Sequence, residues 1–245
     1  MISQHRDGDV AVIEIDRHER RNALDAAHCD GLRAAVREQT DGGARALVIT
    51  GDGSSFCSGA DLGGAYDEAF RDALYAMLTA ITDARVPVLA AVNGPAIGAG
   101  TQLALACDLR VAAPAAAFAI PTARLGLAVD PWTIRRLAAL AGGGTAQAVL
   151  IGCDTLDAAA ALRCGLASRL GDRAAALAWA RELAALAPLT LAYSKQVLNQ
   201  ASGSASGAAA DSELIKAYEA CWASDDCAEG QRARADKRPP RFQGR

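Results

Sequence analysis

The stretch AVNGPAIGAGTQLALACDLR (Ala91–Arg110) decides the architecture. It leaves an apolar strand, turns through a glycine-rich segment at Gly94–Gly100 and enters an apolar helix directly. A strand–turn–helix unit of this kind brings unpaired backbone N–H groups to a helix start, where the helix dipole favours negative charge. A phosphate cradle of the Walker type needs a lysine and then a hydroxyl after its last glycine. Here Thr101 follows Gly100, and the nearest lysine along the chain is Lys195. GDGSSF (Gly51–Phe56) lacks the third glycine of a dinucleotide fingerprint and leads into no helix at the required point.

Working outward, the same alternation of strand, turn and helix recurs. VAVIEIDR (Val10–Arg17) alternates as a strand, and Asp25 stands ready to cap a helix with Leu32, Ala35 and Val36 on one face. ARALVITG (Ala44–Gly51) is a buried strand, and GDGSSFCSGADL (Gly51–Leu62) a loop ending in a short helical turn. Residues 67–84 carry Leu74, Met77, Leu78 and Ile81 at helical spacing. VPVLAAVNG (Val86–Gly94) is a strand, 98–106 a helix, and DLRVAAP and AAFAIPT two further strands. The repeated beat predicts a right-handed α/β coil around a shared core. From Thr145 the pattern turns helical, with helices expected near 145–151, 157–163, 172–186, 190–201 and 208–223 and a short strand at GLASRLG. ASGSASG (Ala201–Gly207) reads as a flexible break before the last helices.

Composition narrows the function. The 245 residues are 51% hydrophobic with a net charge of -3, enough for one sizeable core and a poor match to nucleic acid. Positive charge gathers at Arg17, Arg20 and Arg21 and in the tail RARADKRPPRFQGR, either as solvated faces or as seats for phosphates. The opening MISQHRDGDV is polar and charged, without the pattern of a secretory signal, and the most apolar stretch is interrupted by Asn93, Pro95 and Gln102. Seven cysteines without a CxxC pair suit buried thiols in a reducing compartment, so the expected location is the cytoplasm. His5, His18 and His28 all precede the glycine-rich core, which argues against a Ser–His or Cys–His nucleophilic site, and no ligand spacing suggests a metal. What SGADL and GAG share is a pair of backbone amides flanked by tiny side chains, Ala60 and Ala99. Two such amides aimed at one point would make an oxyanion hole.

RRNALD, ALVITGDGSSFCSGADL, AAVNGPAIGAGTQLALACDLRVAAPAAAFAIPTARLGL and KRPPRFQG together resemble the crotonase (enoyl-CoA hydratase/isomerase) family over nearly the whole chain. They look most like actinobacterial paralogues tied to fatty-acid and mycolic-acid metabolism. The resemblance implies an α/β fold: a ββα spiral core over residues 1–187 and a C-terminal helical trimerisation region over 188–245. It implies a homo-trimer or dimer of trimers, with proteins of fatty-acid or mycolic-acid synthesis as possible partners. No cofactor is implied beyond a coenzyme A thioester, held as ligand or substrate through its carbonyl by the Ala60 and Ala99 amides. Arg21, Ala23 and Leu24 would line the CoA groove, Asp61 and Leu62 would lie near the adenine, and Phe242 with the basic tail would close over a neighbouring subunit's nucleotide.

The chain departs from that family at two decisive positions. The hydratase glutamates correspond to Gln102 and Thr122, neither of which ionises near neutral pH. Positioned acid–base groups are worth about 10²–10⁴-fold each, so efficient hydration is not expected. In LGLAVDPWTIRRL, Asp130 occupies the place where related isomerases carry a proton-moving aspartate, and it is equally a helix N-cap before Pro131. Trp132 is either core packing or an apolar wall for an acyl chain. The expectation is an acyl-CoA binder or carrier, with an Asp130-dependent isomerase and a weak hydratase as alternatives.

Overall fold

The computed structural model describes residues 1–61, 68–201 and 208–245. Leu62 and most of the ASGSASG stretch therefore lie outside the described residues. In chain order the elements are β1 (Ile2–Asp7), β2 (Val10–Ile15), α1 (Ala26–Asp41), β3 (Ala46–Gly51), α2 (Glu68–Asp83), β4 (Val88–Val92), β5 (Pro95–Ile97), α3 (Ala99–Ala106), β6 (Leu109–Ala112) and β7 (Ala117–Ala119). There follow α4 (Pro131–Ala141), α5 (Gly143–Leu150), β8 (Leu156–Asp157), α6 (Ala158–Arg163), β9 (Arg169–Leu170), α7 (Arg173–Ala184), α8 (Pro188–Ala201), α9 (Ala208–Ala223) and α10 (Asp225–Asp236).

The larger sheet runs β1-β2-β3-β4-β6-β9, antiparallel only at the β1–β2 hairpin and parallel elsewhere. Its central strands β3 and β4 are covered on both faces, which is why they read as unbroken apolar runs. The period of two sorts them: Ile13, Leu47, Ile49, Ala90 and Val92 join the main core, while Val12, Ala46, Val48, Leu89 and Ala91 face the other way. On that second face α7 lays Ala176, Ala180 and Ala184, spaced at four residues, flat against the sheet. The smaller sheet, β5-β7-β8, stands apart and carries the glycine-rich turn.

Asp25 caps α1 as expected, its carboxylate accepting from the His28 amide at 2.9 Å, and α1 buries Leu32, Ala35 and Val36. β1 and α10 were not anticipated. β1 has mostly exposed side chains, so its pattern carries no apolar alternation. α10 buries only Asp226 and Ala233 and is likewise silent in a hydrophobicity pattern.

The C-terminal helices are fastened to the core by a buried ammonium. Lys195 of α8 donates to the carbonyls of Ile81 (2.9 Å) and Val86 (3.1 Å) and pairs with Asp108 (2.8 Å), which also accepts from the Val88 amide. A desolvated ammonium costs several kcal/mol, which is tolerable only when its protons are all placed, as here. Among the described residues no single helix is long and apolar enough to cross a membrane.

The glycine-rich turn is packed to backbone contact. A Cβ on Gly100 would stand 2.1 Å from the Cys57 carbonyl oxygen, whereas one on Gly144 would meet nothing within 4 Å. Gly100→Ala is therefore expected to lower the thermal midpoint by the equivalent of about 1–3 kcal/mol or more, and Gly144→Ala to leave it unchanged or slightly raised. Thermal unfolding of the two variants checks the contrast.

Candidate functional site

Three backbone segments lie side by side at the end of the parallel strands. Phe56 and Cys57 donate to the Pro95 carbonyl, and Ile97 donates back to Cys57 at 2.9 Å. On the other flank Leu24 donates to Gly59 (2.8 Å), Asp61 to Leu24 (2.7 Å) and Ser58 to Arg21 (3.0 Å). Gly59, at φ 102°, is the hinge between them: a Cβ there would press 2.7 Å from the Ile97 carbonyl oxygen and 3.7 Å from the Ala99 nitrogen. The outer segment is pinned by Asn22, which is fully buried in the left-handed region at φ 58°. Its amide donates to the carbonyls of Asp52 and Ser55 and its oxygen accepts from the Arg17 backbone, so local bonds offset the unfavourable backbone.

The amides of Ala60 and Ala99 are left over from this weave. Ala60 sits in a parallel bridge with Leu24 in which the bonds are carried by its neighbours Gly59 and Asp61. Ala99 is the first residue of α3, where helical geometry supplies no acceptor. Among the described residues neither N–H has an acceptor. The geometry thus gathers onto adjacent segments the two alanines singled out from sequence. Ala60 is bridged to Leu24, and the helical turn expected at the end of SGADL falls on residues outside those described.

One turn into α3, Gln102 is 4% exposed. Its Nε2 donates to Thr133 Oγ1 (2.8 Å) and Asp130 Oδ2 (3.2 Å), and Thr133 Oγ1 donates to the same Oδ2 at 2.6 Å. Asp130 Oδ1 accepts the Thr133 amide at 3.1 Å, the N-cap bond of α4. Asp130 is thus a cap and also a hydrogen-bond partner of Gln102. With Trp132, Tyr75 and Leu78 it lines a cleft of about 1010 Å³ between α2, α4, α8 and α9. Tyr75 was missed from sequence: burial raises its hydroxyl pKa, and the Asp130 charge adds to the shift. Tyr75, Thr79 and Thr82 line the cleft from α2 beside the core stripe that includes Leu78, a signal that was present but unread. Thr122 opens a short 3-10 turn at Thr122–Leu125, and its backbone oxygen accepts from Leu127 at 3.0 Å.

The remaining sequence candidates occupy the rim. Ala23 is nearly buried, and its carbonyl accepts from Arg17 Nη1 at 3.0 Å. Leu24 is fully buried, so its side chain belongs to the core and only its backbone serves the loop. Asp61 is held by Arg17 Nη2 at 2.9 Å, which commits Arg17 to the scaffold and leaves Arg20 and Arg21 as the exposed charges of that cluster. Phe242 packs its ring against Gly230 of α10, and its carbonyl accepts from Arg45 at 2.8 Å. Much of the tail's charge is internally paired: Arg238 bridges Glu229 and Asp236, and Glu229 is held well below the usual carboxylate range chiefly by that hydrogen bond. Cys57, beside Gly100, has its thiol pushed up to about 12 by burial and is no nucleophile at neutral pH. Asp16, His18 and Asp52 gather on the surface from two loops, with His18 Nδ1 3.1 Å from Asp52.

The profile of the family described as Enoyl-CoA hydratase/isomerase matches residues 5–245. The chain belongs to the enoyl-CoA hydratase/isomerase family. Its relatives include "Probable enoyl-CoA hydratase echA6" of Mycobacterium bovis, 48% identical over 236 residues and covering 96% of each chain. They also include "Carnitinyl-CoA dehydratase" of Citrobacter koseri, 36% identical over 260 residues and covering 98% of this chain and 97% of that one. The crystal structure of an enoyl-CoA hydratase from Bacillus anthracis superposes with a TM-score of 0.88 at 27% identity, covering 100% and 99% of the two chains. The crotonase fold read from the motifs is thereby shown, and the family is one that binds coenzyme A thioesters.

A glutamate in place of Gln102 would set two carboxylates against each other. Gln102→Glu places an acid where an amide now donates to Asp130 at 3.2 Å. Repulsion raises the proton affinity of the pair in the folded state, so the variant holds a proton at low pH and must lose it as pH rises. The variant is expected to approach the parent's stability near pH 5 and fall progressively below it toward pH 8. Urea unfolding at both pH values measures this.

Proposed function

We propose that this chain binds fatty acyl-CoA or enoyl-CoA thioesters by gripping the thioester carbonyl with the Ala60 and Ala99 amides, and that it is deficient as a hydratase. The observation that carries this reading is the pair of acceptor-free amides on adjacent segments, beside a buried Gln102 where a hydratase carries an acid. Gln102 donates both of its bonds inward, to Thr133 and Asp130, and so acts as a strut rather than a base. The family relationship supports the coenzyme A thioester as ligand class.

In this reading the thioester enters with its carbonyl oxygen at the start of α3 and its acyl chain along the cleft walled by Trp132 and Leu78. Trp132 shields the acyl carbons from water, which favours holding a thioester over hydrating it. The exposed Arg20 and Arg21 and the groove beside Ala23 would receive the coenzyme A phosphates. The C-terminal helices would pack between subunits of a trimer or dimer of trimers, bringing Phe242 toward a neighbour's nucleotide, and the complex would serve lipid synthesis in the cytoplasm.

A second reading is isomerisation, favoured by Asp130 on the cleft wall. Its carboxylate could carry a proton between acyl carbons while the two amides stabilise the dienolate. Against this, Oδ2 already accepts two hydrogen bonds and Oδ1 one, so the carboxylate is engaged in holding α4 and Gln102.

Ala99→Pro deletes one amide at a helix position that tolerates proline. The variant is expected to keep its affinity for free coenzyme A and to lose about 3–10-fold in affinity for a fatty acyl-CoA, the worth of one hydrogen bond. An unchanged preference for thioester over coenzyme A refutes the carbonyl grip. Rapid water addition to crotonyl-CoA by the parent protein refutes the deficiency. Conjugation of a 3-enoyl-CoA that disappears in Asp130→Asn favours the isomerase over the carrier.

A further inference from the structure

The far end of α3 is wired to buried positive charge. Arg110, 2% exposed, donates from Nη1 to the carbonyl oxygens of Ala104 (3.1 Å) and Cys107 (2.7 Å) and from Nη2 to that of Asp108 (3.2 Å). Its Nε donates to Leu166. Arg136, 5% exposed, reaches in from α4 and donates through Nε to Leu105 at 3.2 Å. Lys195 completes the group through Asp108, the carboxylate it pairs with at 2.8 Å. Burial lowers the pKa of both guanidiniums, Arg110 to about 10, and both remain cations at neutral pH.

Satisfying helix-end carbonyls does not require charge. Water, backbone amides or neutral side chains do so without the desolvation cost of a buried guanidinium. What a cation adds is a field. Positive charge at the carboxyl end cancels the negative pole of the helix, so that the positive pole at the amino end acts unopposed. α3 spans about 12 Å, short enough for the cations themselves to be felt at its amino end through protein rather than water.

We propose that Arg110 and Arg136 are positioning residues for the thioester: by capping α3 with charge, they strengthen the pull of the Ala99 end on the polarised thioester carbonyl oxygen. This rests on the reading of Ala60 and Ala99 given above. It assigns a role in ligand polarisation to residues buried at the opposite end of the helix from the ligand. At an effective dielectric of about 20, one unit charge some 15 Å away is worth about six- to sevenfold in affinity for a full negative charge, and less for a partial one.

The test uses cinnamoyl-CoA, whose absorption moves to longer wavelength as its carbonyl is polarised. The parent protein, Arg136→Lys and Arg136→Gln are compared for the size of that red shift, for affinity relative to free coenzyme A, and for thermal midpoint. The expected result is a red shift in the parent, retained in Arg136→Lys and reduced in Arg136→Gln, with the preference for thioester falling about two- to fivefold only in Arg136→Gln. Equal shifts in the Lys and Gln variants, whatever their stabilities, overturn the proposal. No shift in the parent overturns the carbonyl grip itself, so the two failures are distinct. If Arg136→Gln does not fold, Asp108→Asn removes the carboxylate and keeps both guanidiniums. A larger red shift there supports the proposal, and an unchanged or smaller one overturns it.

Discussion

A helix buried along its whole length must find partners for its backbone ends inside the protein. α3 is such a helix: all eight of its residues are buried, between the glycine-rich turn and β6. At its carboxyl end the need is met by Arg110 and Arg136, at a desolvation cost that only several simultaneous hydrogen bonds can offset. At its amino end the need is left unmet at Ala99, beside the equally unmatched amide of Ala60. The packing around it follows. Gly59, Gly94 and Gly100 lack side chains because neighbouring backbone stands where a Cβ would be. Asn22 and Asn93 hold the loops on either side with side-chain bonds to carbonyls.

The chemistry available to such a site is set by what stands next to the free amides. One turn into α3 from Ala99 stands Gln102. The amide is neutral, and its donors are spent on Thr133 and Asp130. Asp130 in turn caps α4 and holds Thr133. Gln102 and Asp130 therefore stabilise one another: an acid at either place is acceptable, whereas acids at both would repel.

Much of this was legible in the sequence. The parallel strands were visible because both faces are covered, which leaves β3 and β4 apolar at every position. Asp25 announced α1 and Asp130 announced α4 through capping chemistry, and the Ala60–Ala99 pair followed from two glycine turns at helix or strand ends. Elements without an apolar face escaped notice: β1 exposes most of its side chains, and α10 buries little. Long-range polar contacts escaped for a different reason. Lys195 pairs with Asp108, and Tyr75 shares a cleft wall with Asp130, through placements that sequence spacing does not encode. The basic cluster near the start was half understood, since Arg17 proved to be scaffold, bonded to Asp61 and the Ala23 carbonyl.

The most direct measurement is a crystal structure of the chain grown with a saturated fatty acyl-CoA. The thioester oxygen is expected within about 2.7–3.1 Å of both the Ala60 and Ala99 nitrogens, the acyl chain passing Trp132. A thioester whose oxygen rests against any other pair of donors, with those two amides facing solvent, would contradict the assignment.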